Sequence, residues 1–169
     1  IGDIDASLQS LKRLLADQLC VLGEYHPRVL TTRNNVAAGL GESGRIAEAI
    51  EAFEALLLIE QRALGSNHPL TLTTYNNLGR WLGAAERFDE AIRVFEELLI
   101  DRQHTLGNDH PDVLLTRTNL AAALGMSGRV DEAIGALEDL MTDYMKVLSE
   151  GHPYTIMARG WLDYFQTAN

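Results

Sequence analysis

The sequence predicts an all-α fold in which pairs of antiparallel helices repeat along the chain. Three observations predict it. A unit recurs every 42 residues of the 169-residue chain, a His-Pro pair marks each recurrence, and each complete unit has two stretches with apolar residues three and four positions apart. That spacing is the period of an amphipathic helix, and proline suits a first helical turn because its missing N–H would lack an acceptor there. Helical hairpins of this kind cover their apolar faces by stacking, which predicts one solenoid domain over residues 1–169.

The repeat is visible at many positions of the chain. The matching positions include His26, His68, His110 and His152; Asn35, Asn77 and Asn119; Arg45, Arg87 and Arg129; and Ala49, Ala91 and Ala133. Small residues also recur at positions 37, 79 and 121, where the paired helices must approach most closely. The four histidines are interpreted as loop residues that tie one repeat to the next.

The repeat also predicts the order and extent of the elements. A half repeat at residues 4–22 has one helix, complete repeats occupy residues 26–64, 68–106 and 110–148, and a terminal helix occupies residues 153–166. First helices are predicted at residues 27–42, 69–84 and 111–126, and second helices at residues 47–64, 89–106 and 131–148. Both end helices lack a partner helix, so we expect incomplete cover of their apolar residues. These are Leu8, Leu11 and Leu15 near the start, and Trp161, Leu162 and Phe165 near the end.

These residues resemble the tetratricopeptide repeat, which has a small residue in its first helix, a Gly-Arg turn, Glu-Ala early in its second helix and a Phe within it. The 42-residue period, with Leu-Gly-x-x-His-Pro and Asn-Asn-Leu-Ala/Gly, is similar to the longer variant of kinesin light chains and many bacterial regulatory proteins. The resemblance covers nearly the whole chain. It implies a right-handed superhelical solenoid whose first helices line a concave groove and whose second helices form the convex back.

Composition narrows the classes of function. A formal net charge of −10 argues against nucleic-acid binding, which depends on clustered Lys and Arg. No stretch reaches the roughly 18 consecutive apolar residues of a membrane helix. Cys20 is the only cysteine, so the chain has no internal disulfide. We therefore expect a cytoplasmic protein, and, because the sequence starts at Ile1 without a leader pattern, a fragment of a longer chain.

The sequence contains no pattern typical of a catalytic or metal site. Four of the five histidines lie a full repeat apart, whereas metal ligands must converge within about 2 Å of an ion. The carboxylates of the second helices are interpreted as a solvated surface, and no histidine is placed beside Cys20. We expect no enzymatic activity, no metal and no cofactor.

Charge is divided between the two kinds of helix. The first helices, including the terminal one, have a surplus of two positive charges, from Arg28, Arg33, Arg80, Arg117 and Arg159 against Glu42, Asp112 and Asp163. The second helices are acidic, with carboxylates that include Glu48, Glu51, Glu54, Glu60, Glu90, Glu96 and Glu97, against Arg62, Arg93, Arg102 and Lys146. The acidity is therefore expected on the outer face, and the groove is expected to be neutral to basic.

The candidate binding residues lie on the groove side of the first helices. An amide both donates and accepts hydrogen bonds, so a row of amides can satisfy the backbone of an extended peptide. The row consists of Asn35, Asn77 and Asn119, flanked by Asn34 and Asn76; the expected partners of acidic side chains are Arg33, Arg80, Arg117 and Arg159, with Tyr75 as a pocket residue. The resemblance to kinesin light chains at these asparagines implies acidic cargo peptides. In an alternative interpretation, compatible with the first, the amides bond the neighbouring helix and hold the superhelix together.

The sequence thus predicts a scaffold that binds a protein or an extended, acidic or neutral peptide, with no nucleic-acid or membrane partner. The alternative is a structural or self-association module of a larger regulatory protein. We expect the chain to be mainly monomeric and to dimerise weakly through its terminal helices at high concentration.

Overall fold

The computed structural model describes the backbone of residues 2–168 and the side chains of residues 4–167. Over that part of the chain its regular elements are eight α-helices, which confirms the predicted all-α class. The helices are α1 (Gly2–Leu22), α2 (Pro27–Glu42), α3 (Ile46–Leu64), α4 (Pro69–Ala84), α5 (Phe88–Leu106), α6 (Pro111–Met126), α7 (Val130–Val147) and α8 (Pro153–Ala168).

The helix bounds agree closely with those predicted from the repeat. α2, α4 and α6 begin and end at the predicted residues, and the start of each is fixed by its His-Pro pair. α3, α5 and α7 each begin one residue earlier than predicted, directly after the arginine at their N-cap position. α7 ends at Val147 because Leu148 has an extended backbone, with φ −127° and ψ 167°.

The histidines of the His-Pro pairs cap the first helices. The imidazole Nδ1 of each accepts a hydrogen bond from the backbone N–H two residues later, at 3.1 to 3.2 Å. This bond satisfies an N–H that has no intrahelical partner. The interpretation of the histidines as structural loop residues therefore has a specific physical basis.

The turn between first and second helices requires a left-handed backbone at one position. Gly44 and Gly128 occupy that position with φ of 84° and 95°, and the equivalent Glu86 has φ of 59°. At Gly44, the N–H of Arg45 donates to the carbonyl of Leu40 at 2.9 Å, which closes the end of α2. Glu86 is the only non-glycine residue with positive φ among the described residues, so this turn carries strain that the other two avoid.

The chain forms two compact units, residues 1–85 and residues 86–169. In the first unit α2 packs against α1, α3 and α4, and its core includes Leu30, Phe53 and Leu56. In the second unit α6 packs against α5, α7 and α8, around Leu114 and Leu137. The single repeat domain over residues 1–169 stays a prediction.

Two aromatic rings pack directly on glycines, once in each unit. Gly41 of α2 lies under the indole of Trp81 on α4, and Gly125 of α6 lies under the ring of Phe165 on α8. A Cβ atom at either glycine would be closer to the ring than van der Waals contact allows. The glycine is therefore part of the helix contact, and the ring fills the space that a side chain would otherwise take.

The apolar residues exposed on the end helices differ from those predicted. Phe165 is 2% exposed because it lies on Gly125, and Leu8 is 5% exposed, so the expectation that these two lack cover is wrong. Leu11, Leu15, Trp161 and Leu162 are half-buried. The exposed apolar side chains include Leu14 on α1, at 46%, and Ile156 on α8, at 57%.

Candidate peptide-binding surface

An amide chain joins the two first helices of the unit formed by residues 1–85. Nδ2 of Asn77 on α4 donates to Oδ1 of Asn34 on α2 at 3.0 Å, and Nδ2 of Asn34 donates to Oγ1 of Thr74 on α4 at 2.9 Å. The structural interpretation therefore applies to Asn34 and Asn77, which tie neighbouring helices together. An amide has further donor and acceptor groups, so this use leaves hydrogen-bonding capacity at both side chains.

The amide chain ends at a buried carboxylate. The hydroxyl of Thr74 is hydrogen-bonded to Glu60 of α3, whose side chain is 1% exposed and whose Oε2 has no partner among the described residues. Burial raises the pKa of Glu60 above its ordinary value, and the Thr74 hydrogen bond only partly opposes this. The prediction that Glu60 belongs to the acidic outer face is therefore wrong.

Arg102 of α5 is likewise buried, at 5% exposure, and was wrongly assigned to the outer face. Its Nη1 donates to Oγ1 of Thr116 at 2.7 Å and to the carbonyl of Asp112 at 3.1 Å, both on α6. Burial lowers its pKa below the ordinary value. Arg102 thus acts as a packing residue that bonds a first helix.

Glu60 and Arg102 occupy one repeat position, which is polar throughout the chain. Gln18 and Tyr144 stand there in α1 and α7, and the hydroxyl groups of Tyr144 and Thr118 are 2.9 Å apart. Sequence reasoning missed this position because it considered each charge alone. The available signal was a polar residue recurring at a 42-residue spacing beside the apolar stripe.

The other predicted residues of the first unit occupy varied environments. Asn35 and Arg80 are exposed, and Arg33 is half-buried, with an Nε that has no partner among the described residues. Asn76 is half-buried. The hydroxyl of Tyr75 accepts a hydrogen bond from Nε2 of Gln61 at 2.7 Å, so Tyr75 also bonds a second helix.

In the second unit, one of the predicted arginines forms an ion pair and the other is exposed. Nη1 of Arg117 on α6 is 2.6 Å from Oδ2 of Asp143 on α7, and this bond holds the pKa of Asp143 below its ordinary value. Arg159 on α8 is exposed, and Asn119 on α6 is half-buried. Arg117 is therefore partly neutralised by a neighbouring helix of its own unit.

An open concavity of about 520 Å³ lies between α1 and α2. Apolar side chains of α1 form one wall, and Asn35 and Glu42 of α2 form polar parts of the other. One of the predicted binding residues, Asn35, lines this concavity, whereas Asn34 is bonded to Asn77.

Among side chains 4–167, no group of three or more His, Cys, Asp or Glu residues is placed to hold a metal ion. None of the described helices is both long and apolar enough to cross a membrane.

The helix pairs, the glycine turns and the His-Pro caps define a protein built from repeated helical hairpins. The sequence matches the family described as Tetratricopeptide repeat over residues 28–99 and 86–146. The chain therefore belongs to the tetratricopeptide repeat family, whose members generally mediate protein–protein interactions and are typically non-enzymatic.

Solved structures add a more specific likeness. The chain is 28% identical to a Podosopora anserina protein that is assigned as a kinesin light chain and has nearly identical TPR-like repeats. The match covers 99% of this chain and 80% of that one, with a TM-score of 0.81. A single-substitution variant of that protein gives 28% identity and a TM-score of 0.83, over 99% and 79% of the two chains. BtubC (BKLC) from P. vanneervenii shares the fold, with 22% identity and a TM-score of 0.77. That match covers 89% of this chain and 59% of BtubC. No curated protein matches the chain significantly.

Proposed function

We propose that this chain is an interaction module that binds an extended, acidic or neutral peptide on the face formed by α2 and α4. The observation that carries the proposal is the unbalanced positive charge of these two helices. They contain Arg28, Arg33 and Arg80 against a single carboxylate, Glu42. Neither Arg33 nor Arg80 forms an ion pair with any side chain among residues 4–167, so both are available to a ligand.

Arg33 supports the proposal most strongly. Its side chain is half-buried, and its buried Nε has no partner among the described residues, so the neighbouring helices leave the guanidinium charge unpaired. A ligand carboxylate could accept from the guanidinium in a paired geometry that suits Arg better than Lys. This makes Arg33 the residue at which we expect an acidic side chain of the peptide.

The amides supply the expected contacts to the peptide backbone. Asn34 and Asn77 are held in place by their mutual bond, so their remaining amide groups are presented in a fixed orientation. Preorganised groups of this kind lower the entropic cost of binding. Asn35, Asn76 and Tyr75 are proposed to contribute on the same unit.

The face formed by α6 and α8 is proposed as a weaker site of the same kind. Its charges are balanced, with Arg117 and Arg159 against Asp112 and Asp163, and Arg117 is engaged by Asp143. Together with Asn119, these arginines are proposed to bind neutral rather than acidic segments.

Binding of matched acidic and basic peptide libraries tests the proposal. Replacing Arg33→Gln together with Arg80→Gln should lower affinity for the acidic set several-fold, because complementary charge sets partner choice. The matched control, Arg13→Gln with Arg62→Gln, removes the same charge from α1 and α3 and should leave the preference intact. A preference for basic peptides, or an equal effect of the control pair, would contradict the proposal.

The alternative function, self-association through the end helices, is favoured by the exposed Leu14 and Ile156. Sedimentation over a wide concentration range tests it, because buried apolar surface would then drive assembly. We expect mainly monomer. A tight dimer that is lost on Leu14→Gln or Ile156→Gln would place self-association ahead of peptide binding.

A further inference from the structure

The hydroxyl of Thr74 fixes the direction of the amide chain. Thr74 lies in α4, and its side chain is completely buried. Its oxygen accepts from Nδ2 of Asn34 at 2.9 Å, and its single hydrogen is donated to the ionised carboxylate of Glu60, which can only accept. The hydroxyl of Thr74 therefore has no hydrogen to offer to Asn34.

Threonines at the same repeat position in other first helices donate within their own helix. Thr32 of α2 donates to the carbonyl of Arg28 at 2.9 Å, and Thr116 of α6 donates to the carbonyl of Asp112 at 2.8 Å. Each of these carbonyls lies four residues earlier, which is a common bond of threonine inside a helix. Thr74 donates instead to a carboxylate of another helix, so its hydroxyl joins a network between elements.

The order of the bonds passes from Thr74 to Asn77. Because Thr74 can only accept, Asn34 turns Nδ2 towards it and Oδ1 towards Asn77, whose Nδ2 donates to that oxygen at 3.0 Å. Turning either amide over would place two acceptors or two donors against each other. The network therefore selects one orientation for each amide.

Asn77 consequently has an acceptor to offer to a ligand. Its Nδ2 is engaged by Asn34, whereas its Oδ1 accepts from no side chain among residues 4–167. Asn77 is only half-buried, and it belongs to the row of amides that we propose to contact a peptide backbone. Since a carbonyl oxygen accepts from an N–H, a bound segment must supply a backbone N–H at this residue.

We propose that Thr74 is a positioning residue for peptide recognition. By holding Asn34 in one orientation, it makes Asn77 present Oδ1, so the binding face selects segments with a backbone N–H opposite Asn77 and rejects proline there. The inference rests on the proposed function, because it concerns the same face. It adds a requirement on the ligand backbone to the charge preference for the ligand side chains.

Scalar coupling across hydrogen bonds measures the amide orientation without a ligand. Nuclear magnetic resonance of the isotope-labelled full chain should detect coupling from Nδ2 of Asn77 to Cγ of Asn34, whereas the reversed orientation would couple Nδ2 of Asn34 to Cγ of Asn77. Thr74→Val removes the hydroxyl and keeps the shape of the side chain. We expect it to weaken the first coupling and to make the reversed one detectable, and we expect Thr74→Ser to retain the first.

An ester-substituted peptide series tests the recognition step. The probes are the tightest-binding member of the acidic peptide library and analogues in which one backbone N–H at a time is replaced by an ester oxygen. The analogue substituted opposite Asn77 should bind the wild type about fivefold or more weakly, since it lacks one hydrogen-bond donor. This penalty should largely disappear in Thr74→Val and return in Thr74→Ser.

Thr32→Val is the matched control, because it removes a buried hydroxyl from the same repeat position of α2. It should leave both the coupling and the ester penalty unchanged. If Thr74→Val does not fold because Glu60 loses its partner, the double variant Thr74→Val with Glu60→Met replaces both partners of the buried bond by apolar groups, which is often close to neutral for stability. The double variant should show the same loss of amide orientation.

Two results would overturn the proposal: an unchanged coupling from Asn77 to Asn34 in the folded valine variant, or an ester penalty that is equal in that variant and the wild type. If peptides bind with the expected charge preference but no ester penalty depends on Thr74, only this inference is wrong. If no peptide of either library binds, the proposed function is wrong and this inference is overturned with it.

Discussion

Buried polar residues couple the candidate binding face to the core of residues 1–85. The bonds run from Asn77 to Asn34, from Asn34 to Thr74, and from Thr74 to the carboxylate of Glu60. Because a buried charge is costly without full hydrogen bonding, the ionised form of Glu60 destabilises the unit that presents the amides. The stability of this unit and the peptide binding that we propose for it therefore depend on the same hydrogen-bonded residues.

Glu60→Gln should make the chain more stable at neutral pH. The folded-state pKa of Glu60 is raised, so folding favours the protonated form; this stabilisation is complete below the unfolded pKa and is lost as pH rises through the folded value. The amide oxygen of Gln can still accept from Thr74 without titrating. Denaturant unfolding at several pH values measures this effect. As pH rises from about 4 to about 8, the free energy of unfolding should fall less for Glu60→Gln than for the wild type. Exposed Glu54→Gln is the control, and parallel pH profiles of Glu60→Gln and the wild type would contradict the assignment.

The bond between Asn34 and Asn77 predicts an energetic coupling. A double-mutant cycle of Asn34→Ala and Asn77→Ala should give a coupling free energy of about 1 kcal/mol, since each single change removes the same hydrogen bond. For the pair Asn35→Ala and Asn77→Ala, the changes in the free energy of unfolding should be closer to additive. If Asn77→Ala lowers stability with no separate loss of peptide affinity, the purely structural interpretation of the amides is correct.

At the scale of elements, the helix bounds follow from caps and turns. Each His-Pro pair supplies a fixed φ at the first helical residue and an imidazole that accepts an otherwise unpaired N–H. A bidentate pair between the N-cap arginine and the glutamate three residues later recurs at the second helices, as between Arg129 and Glu132 at 2.8 and 2.7 Å. This bond lowers the pKa of Glu132, and it explains why each second helix starts directly after its arginine.

The turn at Glu86 offers a stabilising substitution. Glu86→Gly should raise the free energy of unfolding by roughly 0.5 to 1 kcal/mol, because glycine adopts the left-handed backbone without the penalty that a Cβ brings. Thermal or denaturant unfolding measures this directly. Glu86→Ala removes the carboxylate but keeps the Cβ, so it should not stabilise the chain; equal stabilisation by both variants would show that charge, not backbone conformation, matters at this turn.

At the scale of the whole molecule, the repeat predicted the helices but not how polar residues are distributed. Periodicity located the helices to within a few residues because apolar spacing and His-Pro caps act locally. The burial of Glu60 and Arg102 was missed because it depends on threonines of the next first helix, which sequence spacing alone does not place beside them. The covered position of Phe165 was missed because the contact depends on a glycine 40 residues away, Gly125.

Only part of the candidate site could be predicted from the sequence, because contacts between helices do not follow from sequence spacing. Residue type and repeat position identified the amides and arginines, but their roles depend on which neighbours they meet. Arg117 meets Asp143 and is partly neutralised, whereas Arg33 has a buried Nε with no partner among the described residues. The charge surplus of α2 and α4 is visible in the sequence, and the structure adds that Arg117 of α6 is paired with a carboxylate of its own unit.

Nuclear magnetic resonance of the isotope-labelled chain during titration with an acidic extended peptide tests the central claim most directly. We expect the largest shift changes at the side-chain amide signals of Asn34, Asn35 and Asn77 and at the Nε signal of Arg33. Signals of the exposed Glu51 and Glu54 on α3 should stay unchanged and serve as internal controls. Changes centred on α3, or no changes at the amides and Arg33 while the peptide binds, would contradict the claim that the α2 and α4 face is the binding surface.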